Sequence, residues 1–311
     1  MALTALALAA CAQEDAQTGD QPAIETITLE GERLFPESIT SDADGIIYAG
    51  SNRGAIYRIE PGSATGSVWI APDAQNGLLS VFGVLADDTR GWLWVCSNPA
   101  MGEDGSSAVK TFALADGSLV ASHPFPADAG PVLCNDMAVA GNGDLYATDT
   151  IGGRIFKLAA GGEALDYWAA DPEFGGIDGI AFAESGALYV NSVQRHTLMQ
   201  VGVEDNGLFD TVTVLETSQP MEGPDGLRPL GGNRFLQTEG PGGKVTVVTI
   251  DGTAAQIDVI AQGIDYPSSA TAVNGRAWYP VGKITYLFDP ALREQDPGPF
   301  TIESTPIPEA E

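Results

Sequence analysis

Four oxygen-bearing side chains stand at matched places along the chain: Glu37, Asn135, Asp178 and Asp225. Each is the second residue of a segment that runs strand, Gly- or Asn-containing turn, strand. Brought together, three carboxylates and one amide would form the hard-oxygen set that Ca²⁺ takes, six to eight ligands at ~2.3–2.6 Å with water completing the shell. The sequence offers no His or Cys cluster as a competing centre, with only 2 His and 3 Cys, so a nitrogen- or sulfur-based zinc or copper site is disfavoured. Ca²⁺ is the expected ion, and Mg²⁺, Mn²⁺ or Zn²⁺ are the other divalent candidates. Asp178-Gly179 and Asp225-Gly226 also read as turn dipeptides, but the hairpin turns lie about eight residues further on, at Asp44-Gly45, Asn142-Gly143 and Ser185-Gly186.

What would position these residues is a repeat. The segment occurs six times, over 36–52, 82–98, 134–150, 177–193, 224–240 and 267–282. Its second position is Glu37, Gly83, Asn135, Asp178, Asp225 and Ser268 in turn, at spacings of 46, 52, 43, 47 and 43 residues. The second strand carries an aromatic at a nearly fixed offset: Tyr48, Trp94, Tyr146, Tyr189, Phe235 and Trp278. Third alternating strands are predicted at 55–59, 108–114, 154–158, 197–201, 244–250 and 284–289, with a less regular fourth after them. Four antiparallel strands per period, without helical periodicity, predict an all-β, six-bladed β-propeller. Residues 24–306 form this one domain, and 307–311 an acidic tail. Glu25–Leu29 and Phe300–Ile302 both qualify as the strand that closes the ring.

In a propeller the innermost strands line a central channel and their first residues crowd one mouth. That places the four oxygen donors together, with Asp136 read as bracing the loop behind Asn135. The loops between second and third strands would shape a pocket around that mouth. They contribute Arg53 and Arg195 as substrate-binding candidates and His196 as a possible general acid or base.

Lys and Arg number 14 against 42 Asp and Glu, a formal charge of −28. Such a polyanion has no electrostatic footprint for phosphate backbones, which argues against nucleic-acid binding. Residues 1–11 are apolar up to Leu8-Ala9-Ala10-Cys11, the pattern of a bacterial lipoprotein signal. Ten apolar residues are too short to span a bilayer. The expectation is a periplasmic monomer held to the membrane only by lipid on Cys11, with 12–23 as a polar tether. Cys96 and Cys134 then remain as a pair able to form a disulfide in an oxidising space.

Glu37 at the head of the first repeat, Asn135-Asp136 in the third and Pro224-Asp225-Gly226-Leu227 in the fifth together resemble the senescence marker protein (regucalcin)/gluconolactonase family. Diisopropylfluorophosphatase and paraoxonase are relatives of that family. The resemblance implies a six-bladed propeller with Ca²⁺ or another divalent ion in the channel, hydrolysing lactones or related esters. Glu37, Asn135 and Asp225 carry over as metal-site residues, with Asn135 also facing substrate. The family's fourth ligand is usually an Asn before Gly, where this chain has Asp178-Gly179, making the site one charge more negative. In such a site the ion polarises the carbonyl and a carboxylate activates water or attacks. Asp225 is the first candidate for that role and Asp178 the second. Two other readings compete: a non-catalytic, lipid-anchored propeller that binds a ligand or protein partner and keeps Ca²⁺ for structure, and a streptogramin-lyase-like propeller, whose chemistry needs a His that only His196 could supply.

Overall fold

Short alternating strands separated by glycine turns leave the chain one way to bury its apolar residues, which is to stack small twisted sheets face to face. The computed structural model describes residues 25–100, 103–204 and 206–309. Cys11, the signal segment and the tether lie outside the described residues. The protein is all-β and propeller-like. Three sheets are four-stranded antiparallel meanders, over Ser80–Pro124, Cys134–Ala170 and Ile177–Val214. A fifth-strand addition, Glu216–Thr217, runs parallel to the outer strand of the meander Pro224–Gln262.

The remaining strands form one eight-stranded sheet rather than two separate ones. Pro36–Ser41, Ile47–Ser51, Ile56–Ile59 and Thr65–Ile70 make an antiparallel meander at one end, and Thr271–Val273, Arg276–Pro280 and Thr301–Pro306 lie at the other. Thr26–Leu29 joins them. It pairs antiparallel with Thr301–Pro306 and touches the edge of Thr65–Ile70 in parallel through Thr28 and Leu29. Both termini therefore take part in closure. Residues 284–289 do not form the predicted strand: Thr285–Phe288 is a single helical turn. Lys283 enters it with φ 50°, and Arg33 donates to the carbonyls of Tyr286, Arg293 and Gln295, holding the segment off the sheet. Its alternation fits a strand, but Thr301–Pro306 takes the place beside Arg276–Pro280 instead.

The second-strand aromatics are all core residues; Tyr48 and Phe235 are fully buried. Tyr146 shows how they join neighbouring sheets, meeting Trp168 of its own sheet at 4.8 Å and Phe182 of the next at 5.4 Å. The Gly141–Asp144 turn closes its hairpin with Gly143 at φ 91°, a conformation open to glycine without a Cβ clash. No helix of the described residues is long and apolar enough to cross a membrane.

Cys96, near the end of one meander's second strand, and Cys134, the first residue of the next meander, are joined by a disulfide with Cα atoms 5.3 Å apart. It closes a loop across a sequence separation of 38 residues and ties two sheets together at the channel. Replacing both cysteines by Ala is expected to lower unfolding stability by about 2–4 kcal/mol, measured as a lower urea midpoint. An unchanged midpoint contradicts this role.

Candidate functional site

Five of the six aligned residues, all but Ser268, sit in β-bulges. Pairing between first and second strands slips at Pro36/Ser38, Val81/Val84, Cys134/Met137, Ile177/Ile180 and Pro224/Leu227. The slips contain Glu37, Gly83, Asn135-Asp136, Asp178-Gly179 and Asp225-Gly226. A bulge breaks the in-and-out alternation and re-aims a side chain, which is how polar residues come to open strands that are otherwise apolar. The glycines after Asp178 and Asp225 have a steric reason. A Cβ on Gly179 would lie 2.7 Å from the Leu227 nitrogen, and one on Gly226 would lie 2.8 Å from the Ser269 Cα. They are close-approach glycines between adjacent inner strands rather than turn glycines.

Polar residues hold these bulges in place from the neighbouring sheet. Asn98 donates to the Cys134 carbonyl at 2.8 Å, Thr148 to that of Asp178 at 2.7 Å and Asn191 to that of Asp225 at 2.6 Å. Asn52 reaches the Val81 carbonyl. The Gly226 nitrogen donates to Ser268 and the Ser268 hydroxyl to the Glu37 carbonyl. These links run through all the sheets and return to the first.

The result is one small cavity lined by Glu37, Asn135, Asp136, Asp178, Asp225 and Ser268. All six are less than 9% exposed. Asn135 Nδ2 donates to Asp178 Oδ2 at 2.7 Å and to Thr150 Oγ1 at 2.9 Å. Its amide oxygen is thus left as an acceptor for something else. Burial, then Asp178 and Asp136, push the Glu37 carboxyl well above the usual range. Burial is also the first cause for Asp178, followed by Asp225, and for Asp225, followed by Glu37. Each of these carboxyls therefore holds its proton more tightly than an ordinary one. Tyr266 lies beside them, and its phenol is pushed up by burial and then by Asp225, Asp178 and Glu37.

Asp136 does not brace a loop, as the sequence suggested. Its carboxylate accepts two hydrogen bonds from Arg228, at 2.6 and 2.8 Å. Arg228 stands three residues after Asp225 and reaches from one inner strand to another, also donating to the Val84 carbonyl at 3.3 Å. The pair is 8% and 5% exposed and lies as a floor between the small cavity, lined by Asp136, and a second one, lined by Arg228. Beyond that floor, at the opposite mouth, is a cavity of about 620 Å³ lined by Leu85, Met137, Val139, Ile180, Phe182 and Arg228 among others. It is the larger of the two, but it contains no comparable set of buried carboxylates. Sequence reasoning missed Arg228. The available signal was a lone basic residue one turn of alternation inside an acidic motif.

The mouth residues lie apart from the buried set. Arg53 is exposed and stacks on Phe35, its guanidinium 5.5 Å from the ring centre. Arg195 is tied to Glu173 at 3.4 Å and to the Pro172 carbonyl at 2.6 Å. His196 has φ 58°, and its Nδ1 accepts from the Gly223 nitrogen at 2.8 Å, two residues before Asp225. A neutral ring so bonded carries its proton on Nε2 and presents a donor, not a base, to solvent. Among the described residues no group of three or more His, Cys, Asp and Glu forms a ready-made metal cluster. The mixed set of Glu37, Asn135, Asp178 and Asp225 does share one cavity, and its hard oxygens and uncompensated charge suit a divalent cation.

A family model described as strictosidine synthase-like, N-terminal, matches residues 22–59. No curated protein sequence matches the chain. Among solved structures, a gluconolactonase from Xanthomonas campestris is 17% identical, with TM-score 0.63, over 91% of this chain and 89% of that one. A calcium-binding regucalcin from Agrobacterium tumefaciens is 16% identical, with TM-score 0.62, over 91% and 95%. A virginiamycin B lyase from Staphylococcus aureus is 16% identical, with TM-score 0.58, over 82% and 80%. At these identities the likeness is one of fold. Gluconolactonase and regucalcin are thus structural neighbours, as the motifs of the inner strands led one to expect.

Arg228→Met leaves Asp136 buried without its partner and is expected to cost about 3–5 kcal/mol. The double variant Asp136→Leu/Arg228→Met removes both charges and should recover most of that loss. Urea unfolding of the two variants and the wild type checks this; equal losses in single and double variants contradict the pairing.

Proposed function

We propose that the chain is a six-bladed propeller hydrolase of lactones or related esters that works with Ca²⁺ in its channel. On this reading the eight-stranded sheet is the first and sixth blades, fused edge to edge by Thr26–Leu29 as the sixth blade's outer strand. The observation that carries the proposal is the burial of Glu37, Asp178 and Asp225 beside Asn135 in one cavity, with the nearby Arg228 already committed to Asp136. Three carboxylates without a compensating charge are costly to bury unless a cation joins them.

Glu37, Asn135, Asp178 and Asp225 would hold the ion, which supplies Lewis-acid polarisation of the substrate carbonyl when bound. Asn135 is already oriented for this by its bonds to Asp178 and Thr150. Asp225 would take a proton from water or attack, and Asp178 is the alternative. The Arg228–Asp136 floor closes the channel behind them, so substrate enters from the mouth where Arg53, Arg195 and His196 lie. Cleavage after Ala10 and lipidation at Cys11 would put the enzyme in the periplasm, a compartment consistent with the disulfide.

A lactonase assay with Ca²⁺ tests the proposal. Wild type should turn over small lactones. Glu37→Ala should lose both Ca²⁺ binding and turnover, and Asp225→Ala should lose turnover by at least about 10²-fold. No turnover by wild type across a broad lactone and ester panel, with Ca²⁺ bound, would favour a non-catalytic propeller.

Stability in solution carries the opposite sign to an ordinary acidic site. The folded-state pKa values of Glu37, Asp178 and Asp225 are raised, so their favourable contribution is complete below the unfolded carboxyl pKa of about 4. It is lost as pH rises from there through the raised folded values. The gain in Tm on adding Ca²⁺ should therefore grow with pH across that window, since the ion replaces protons. A gain that is flat or shrinks with rising pH counts against these ligands.

A further inference from the structure

The residue two places before the aligned site position repeatedly adopts a left-handed backbone. It is Gly176 at φ 71° before Asp178 and Gly223 at φ 65° before Asp225. Glycine enters this region without steric cost. In two repeats the same place is held by bulky aromatics, Phe35 at φ 49° before Glu37 and Tyr266 at φ 61° before Ser268. An aromatic there carries backbone strain that a glycine would avoid.

The two aromatics use that strain differently. Phe35 is fully buried and packs edge-on against Phe300 at 5.2 Å, which is core packing. Tyr266 is only partly buried; it packs against the same apolar cluster, and one edge of its ring lies beside Asp225 across Gly240. A Cβ on Gly240 would lie 2.7 Å from a Tyr266 ring carbon and 2.7 Å from Asp225 Oδ2. The missing side chain of Gly240 is what lets ring and carboxylate lie next to each other. The backbone is fixed on both sides: the Tyr266 nitrogen donates to Ile264 at 2.9 Å, and the Tyr266 carbonyl accepts from Gly282 at 3.2 Å. Unlike the Tyr48 hydroxyl, which donates to Asp42, the Tyr266 hydroxyl has no hydrogen-bond partner among the described residues.

We infer that Tyr266 is a substrate-contacting residue, whose hydroxyl donates a hydrogen bond to the carbonyl oxygen of a small lactone or ester seated over Asp225. A phenol held above its usual range by burial and neighbouring carboxylates stays protonated and is a donor throughout the neutral range, and one aimed at a developing oxyanion stabilises it more than the ground state. Its strained, pinned backbone keeps the ring in place before substrate arrives, so little ordering remains to be done on binding. The inference rests on the reading of this cavity as a site for lactone-like substrates.

The test compares wild type, Tyr266→Phe and Gly240→Ala, all as the full calcium-loaded chain. Three quantities are measured: Ca²⁺ affinity, turnover of δ-valerolactone, and binding of δ-valerolactam, which keeps the carbonyl but resists hydrolysis. Tyr266→Phe should keep its Ca²⁺ affinity, lose about 10²-fold in kcat/KM and bind the lactam several-fold more weakly. Gly240→Ala, whose new methyl meets both the Tyr266 ring and Asp225 Oδ2, should lose at least as much and, unlike Tyr266→Phe, should also weaken Ca²⁺ binding. Wild-type kcat/KM and lactam affinity in Tyr266→Phe would overturn the inference while leaving the hydrolase reading in place. Lactam binding that needs the hydroxyl, in a wild type that hydrolyses no lactone, would support Tyr266 and defeat the hydrolase reading. A wild type that binds neither compound would overturn both.

Discussion

Three like-charged carboxyl groups are buried within one narrow channel, and much of the architecture around the inner strands follows from that constraint. Glu37, Asp178 and Asp225 are each less than 9% exposed. In so low a dielectric they repel one another and lose their hydration, which raises their proton affinity. Such a set survives in a folded protein only where protons or a cation neutralise it and where the backbone is rigid enough to prevent the groups from swinging apart. The bulges, the close-approach glycines and the side-chain links between sheets supply that rigidity. The disulfide between Cys96 and Cys134 adds a covalent tie beside Asn135.

The fixed cation that lines the channel among the described residues is not available to the three. Arg228 is bound by Asp136 through two hydrogen bonds, and its charge reaches Glu37 only as a weaker, opposing influence. This division matters for function. A free arginine would neutralise the carboxylates and remove the reason for a metal. Held at the floor, it separates the acidic cavity from the larger cavity at the opposite mouth and leaves the acidic side uncompensated. Asp136 occupies the bulge position that is glycine in the next two repeats. Its side chain is thus the local departure that creates the floor.

Much of this was legible in the sequence because the repeat keeps its register. Six aromatics at a nearly fixed offset mark the second strands, and the second position, polar in every segment but the one with Gly83, marks the channel. Legibility ends where contacts are not periodic. Alternation in 284–289 reads as a strand, yet the turn at Lys283 and the carbonyl contacts of Arg33 make it a helical turn. Asp136 and Arg228 are 92 residues apart, so neither sequence neighbourhood announces the pair. Tyr266 stands two residues before a Ser rather than an acid, so no acidic motif marks it. Asp178-Gly179 and Asp225-Gly226 have the letters of a turn, and only the approach of the adjacent strand explains their glycines. Mouth residues such as Arg195 were identifiable by loop position, but their partners, here Glu173 and Pro172, depend on loop conformation.

The most direct measurement of the central claim is anomalous diffraction from crystals grown with Ca²⁺, repeated with Mn²⁺. The account predicts one strong peak in the channel with oxygens of Glu37, Asn135, Asp178 and Asp225 at about 2.3–2.6 Å from the calcium position, on the side of the Arg228–Asp136 pair away from the large cavity. A channel without a peak, or a peak bound only by other residues, would contradict it.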